Sequence, residues 1–114
     1  MFVITVAAAL LLQAKPYEGE LMERLKAPAK ATFESQKRSY DLEICVADAL
    51  TVVGSPTVLR DGPENIVIAA SLPAGNAFLA SVSIAREGSG SRLELRIRGK
   101  GWDDRIKSRV AGCL

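Results

Sequence analysis

Glu87-Gly88-Ser89-Gly90-Ser91-Arg92-Leu93-Glu94-Leu95-Arg96-Ile97-Arg98 is the stretch that decides the fold. Successive side chains of a strand point to opposite faces, so Leu93, Leu95 and Ile97 share one face while Arg92, Glu94, Arg96 and Arg98 share the other. One apolar and one polar face is the pattern of an antiparallel sheet covered on a single side. The Gly/Ser-rich stretch at 87–91 reads as a hairpin loop, which makes the preceding run the antiparallel neighbour. That run, Ala77 to Arg86, alternates Phe78, Ala80, Val82 and Ile84 with Leu79, Ser81, Ser83 and Ala85. Pro73-Ala74-Gly75-Asn76 separates it from Asn65–Ser71, where Ile66, Val67 and Ile68 predict burial on both faces. Asp61-Gly62-Pro63 is a turn, and Thr57–Arg60 is an earlier short strand.

Helices flank this sheet. From 40 to 53, Leu42, Cys45, Val46, Ala49, Leu50 and Val53 recur at intervals of three and four and form one apolar stripe. Ser39 is the expected N-cap, Asp41 complements the positive first turn, and Gly54 with Pro56 ends the helix. Beyond Gly99-Lys100-Gly101 a last helix carries Trp102, Ile106, Val110 and Cys113 on its buried side, with Trp102 as a core anchor. Near the start, Tyr17 to Lys26 predicts one or two helical turns through Leu21, Met22 and Leu25, ending before Pro28. Ala27 to Lys37 reads either as a linker or as a short edge strand beginning at Thr32-Phe33. The expected fold is α+β: an antiparallel meander of three to four strands with two amphipathic helices packed on its apolar face, in the order helix, sheet, helix.

The first 14 residues, Met1 to Ala14, carry no charge and hold an apolar core from Phe2 to Leu12. Such a leader predicts a cleavable signal peptide ending at the small residue Ala14. Two features depart from the usual pattern: no Lys or Arg precedes the apolar run, and Leu12 is bulky where a small residue is common. The run is shorter than the roughly 20 residues a membrane-spanning helix needs. The organisation that follows is a leader at 1–14, a short helix and linker or edge segment at 15–38, and a compact domain at 39–114. The competing reading keeps Met1 to Ala14 in the fold of a cytoplasmic protein.

Cys45 and Cys113 are the only cysteines, and both fall on the apolar stripes of the flanking helices. Export to an oxidising compartment makes a disulfide between them the expected state, and loop closure over most of the domain gives it about 4 kcal/mol. The alternative is a pair of separate buried thiols. There is no Cys-x-x-Cys, so a redox role is not expected.

Few catalytic chemistries remain. The chain has no histidine, which excludes Ser-His-Asp and Cys-His machinery and removes the commonest metal ligand. With both cysteines bridged, zinc lacks a ligand set, and neither a metal nor a cofactor is expected. Two-carboxylate hydrolysis would need a pair from Asp48, Asp61, Glu64, Glu94, Asp103 and Asp104, and no spacing selects one.

The net charge is +2, and the basic excess lies at 87–114, where Arg92, Arg96, Arg98, Lys100, Arg105, Lys107 and Arg109 oppose Glu87, Glu94, Asp103 and Asp104. Arg92, Arg96, Arg98 and Lys100, with Ser81 and Ser83 on the adjacent strand, form the candidate face for an anion or a partner. The plainer reading is a solvated sheet face on which Glu94 compensates its neighbours. Gly99-Lys100-Gly101 lacks the spacing and the Lys-Ser/Thr ending of a phosphate-binding loop. Nucleic acid is not expected, because no aromatic side chains interleave with the arginines. The expected function is a small exported, disulfide-stapled, non-catalytic domain, periplasmic or secreted, that binds a protein or an anionic component of the cell envelope. The alternative is an enzyme inhibitor or a small carboxylate-dependent hydrolase.

Overall fold

The computed structural model describes residues 16–72, 78–99, 101 and 103–114, with side chains from residue 21 onward. The leader, the predicted break at 73–76, Lys100 and Trp102 lie outside the described residues. The elements are α1 (Pro16–Lys26), β1 (Ala31–Ser35), α2 (Ser39–Leu50), β2 (Ser55–Arg60), β3 (Ile66–Ser71), β4 (Phe78–Glu87), β5 (Gly90–Ile97) and α3 (Asp103–Ala111). The strands form one five-stranded sheet in the order β1-β5-β4-β3-β2, and every neighbouring pair is antiparallel.

The sheet therefore has five strands where three to four were expected. β2 to β5 form the anticipated meander, and β1 adds to it from before α2, pairing Phe33 with Leu93 and Ala31 with Leu95. Only Ala31 and Phe33 give this strand an apolar face. Its conformation is fixed by hydrogen bonds to β5, some 60 residues along the chain, and local pattern carries no trace of them.

Cross-strand rows show how the core is laid down. Phe33, Leu93, Ile84 and Ile66 stand opposite one another across β1, β5, β4 and β3, and Ala31, Leu95, Val82, Ile68 and Val58 make the next row. Leu42, Val46, Ala49 and Leu50 of α2 and Ile106 and Val110 of α3 pack on these rows in one cluster. The interior members are nearly or wholly inaccessible to solvent, and burial of this apolar area is the main favourable term in folding. The third helix, α1, was expected as one or two turns and runs for 11 residues. It lies against β4 on the opposite face of the sheet, so helices cover both sides.

Several local expectations change. Between Ala70 and Ser71 the β3–β4 register shifts, pairing Ser71 with Phe78. This irregularity moves Phe78 off the core face and lets Leu79 pack against the core instead. Ser39 is the first helical residue and not the N-cap: Arg38 takes the cap position without a side-chain bond. The entry to α2 is held from the sheet, where the Ser91 hydroxyl donates to the Lys37 carbonyl at 2.8 Å and the Lys37 amide donates to the Ser35 hydroxyl oxygen. The helix ends at Leu50, and Gly54 does not adopt the left-handed conformation of a helix-terminating glycine. A Cβ on Gly54 would collide with the Ser71 carbonyl oxygen, so close backbone approach to β3 is what excludes a side chain there. Gly88 does need its positive φ of 61°, because Glu87 pairs with Gly90 and leaves only Gly88-Ser89 to turn the hairpin.

Cys45 and Cys113 form a disulfide, with Cα atoms 5.7 Å apart and a sequence separation of 68. Cys113 is buried, but it sits in the turn after α3 and not within the helix; Cys45 lies at the exposed flank of the α2 stripe. The same turn is held from β1 and its exit. The Ser35 hydroxyl donates to the main-chain oxygen of Leu114 at 3.2 Å, and Lys37 Nζ donates to the Cys113 carbonyl at 2.9 Å.

Candidate anion-binding recess

The outer face of the sheet is also laid out in rows. Thr32, Glu94, Ser83, Val67 and Leu59 make one, Arg96, Ser81, Ala69 and Thr57 the next, and Glu34, Arg92 and Ala85 a third. Arg92 and Arg98 lie six residues apart on one extended chain, or about 20 Å. The arginine stripe is thus divided, and no single small group can touch both of its ends. Arg92 is exposed and stands directly opposite Glu34 of β1.

At the other end, α1 and its exit cover the sheet. Arg96 Nε donates to the Ala27 carbonyl at 2.8 Å, and its Nη2 lies 3.6 Å from a Glu94 carboxylate oxygen. Its side chain is only 15% exposed. A desolvated guanidinium of this kind is stable where carbonyl and carboxylate oxygens meet it, and both do here. Arg96 thus anchors the exit of α1 to the sheet and also walls what lies beside it.

Beside it is a recess of about 30 Å³, walled by Arg24, Ala27, Pro28, Phe78, Arg96 and Arg98, with Ser81 among its lining. Ser81 is 2% exposed, and its hydroxyl has no hydrogen-bond partner among the described residues. An unpaired buried hydroxyl costs about 1–3 kcal/mol, and a polar recess of this size holds one or two water-sized groups. A recess lined by arginines and a serine suits oxygen atoms of a carboxylate or phosphate better than any cation.

Arg96, Arg98 and Ser81 are thereby brought together, while Arg92 stands apart and Ser83, half-buried, lies one row away beside Glu94. Lys100 lies outside the described residues. Sequence reasoning missed Arg24 and Phe78. Arg24 arrives on α1, whose docking partner no local pattern reveals, and Phe78 reaches the recess only through the register shift.

A second depression, wide and shallow at about 520 Å³, lies between the β4–β5 turn and the end of β1, lined by Glu34, Gln36, Glu87, Ser89 and their neighbours. It has no cation and no apolar wall to hold a ligand. Among the described residues there is no grouping of three or more carboxylate and cysteine side chains that could hold a metal ion, and no helix is long and apolar enough to cross a membrane. Comparison with protein-family models, with curated proteins and with solved structures finds no match to this chain.

Proposed function

We propose that this protein is an exported, non-catalytic binding domain of the cell envelope that binds an anionic group, carboxylate or phosphate, at the mouth of the recess between α1 and β4–β5, with one or two of its oxygen atoms inside. The observation that carries the binding site is Ser81, a buried hydroxyl without a partner among the described residues, in the lining of a recess that Arg96 and Arg98 also wall. Arg96 is held in place by Ala27 and Glu94 and supplies a fixed positive wall. Arg98, exposed at the rim, closes on the entering oxygens. Export is supported by the uncharged apolar leader together with the Cys45–Cys113 disulfide, a bond that persists in oxidising compartments.

The experiment is an amide chemical-shift titration with inorganic phosphate and with acetate. Saturable shifts at Ser81, Arg96, Arg98 and Arg24 are expected, with loss of saturation in Arg98→Glu and in Ser81→Val, which fills the recess. Shifts that spread over all basic residues without saturating would refute the site. The biological source is then read from co-sedimentation with phosphatidylglycerol vesicles, using phosphatidylcholine vesicles as the neutral control.

A further inference from the structure

On the other face of the sheet, α2 and the last two turns of α3 present opposite charges to solvent side by side, the first turn of α3 being acidic at Asp103 and Asp104. α2 carries Asp41, Glu43 and Asp48 and no basic residue, while the last two turns of α3 carry Arg105, Lys107 and Arg109. Glu43 pairs with Arg60 on one flank and Asp103 with Lys30 on the other. Asp41, Asp48, Arg105 and Arg109 are exposed and make no ion pair among the described residues. Between the two α2 carboxylates stands Ile44, three and four residues from them and therefore on the same stripe. It is 82% exposed, the most exposed large apolar side chain among the described residues.

The helices run antiparallel. The start of α3 is tied to Lys30, before the first residue of β1, and the turn after it to Ser35 at the other end of that strand. α2 starts beside Pro63 at the Ser35 end and leads into β2 at the opposite end. Cys45 and Cys113 fix the spacing between the two helices. A two-fold axis parallel to these helices, lying just above them, sets α2 of one copy over α3 of a second copy and repeats the contact in reverse. Each acidic stripe then meets a basic one, and Ile44 is covered. A partner of one charge would match only half of this surface; a second copy matches both halves.

We infer that the α2–α3 face is a self-complementary interface through which two copies of this chain associate. The face measures about 20 Å on each side, at the small end for specific association, so the dimer is weak, salt-sensitive and concentration-dependent. This interface is independent of the recess, which lies on the opposite side of the sheet.

The test is sedimentation equilibrium of the disulfide-closed protein at low salt, up to about 1 mM, where weak association is populated. The native chain is expected to move from monomer toward dimer mass as concentration rises. Asp41→Lys/Asp48→Lys and Arg105→Glu/Arg109→Glu should each weaken self-association by at least about tenfold. Ile44→Ser should do so without altering charge. An equimolar mixture of the two charge-reversed variants should recover the dimer, since both contacts are complementary again in the mixed pair. Attraction between α2 and α3 within one chain would not produce that recovery. A native chain that stays monomeric throughout, or a mixture that stays monomeric, overturns the inference.

Discussion

Gly54 and Ser81 carry specific consequences at the scale of single residues. At Gly54 the backbone passes so close to the Ser71 carbonyl that a methyl group has no room. Gly54→Ala should destabilise the domain by about 2 kcal/mol, the cost of overpacking, seen as a lower urea midpoint at unchanged slope. Leu95 is fully buried in the middle of the core rows, and Leu95→Ala should cost about 3 kcal/mol by the same measurement. Ser81 behaves differently. Its hydroxyl stabilises nothing it touches among the described residues, so Ser81→Ala should leave the urea midpoint unchanged or raise it slightly, while weakening phosphate binding in the shift titration. A large loss of stability in Ser81→Ala would show that the hydroxyl serves the fold and not a ligand.

Among the elements, the disulfide and β1 have the farthest reach. Cys45→Ser/Cys113→Ser removes a link across 68 positions of the chain, and a reduction in unfolding free energy of about 4 kcal/mol is expected from loop entropy alone. The hydrogen bonds from Ser35 and Lys37 to the same turn keep that order in the native state, so the loss falls on the unfolded side of the equilibrium and should be read as a lower urea midpoint. What the sequence made legible at this scale follows a physical divide. Strict alternation from Arg92 to Arg98 and the three-four spacing from Leu42 to Val53 each belong to one element, and both were readable with ends displaced by a few residues. The choice of edge strand over linker for β1, the docking of α1 on β4, and the exchange of Phe78 for Leu79 at the register shift all depend on contacts between distant segments. Local pattern does not record those, and the candidate recess, which needs α1 to exist, was legible only as its Arg96, Arg98 and Ser81 wall.

For the whole molecule, a sheet with helices on both faces and a covalent tie from α2 to the turn after α3 leaves two distinct surfaces: a basic recess under α1, and a charge-striped pair of helices on the other side. The closed cross-link joins the fold to the proposed compartment, because a cytoplasmic thiol pool would keep Cys45 and Cys113 reduced. The measurement that tests this most directly is the intact mass of the protein taken from the cell envelope and alkylated without prior reduction. Export with a closed staple predicts a chain lacking Met1 to Ala14, unalkylated, and lighter than its reduced form by two hydrogens. A chain that retains the leader and takes up alkyl groups on both Cys45 and Cys113 would contradict it.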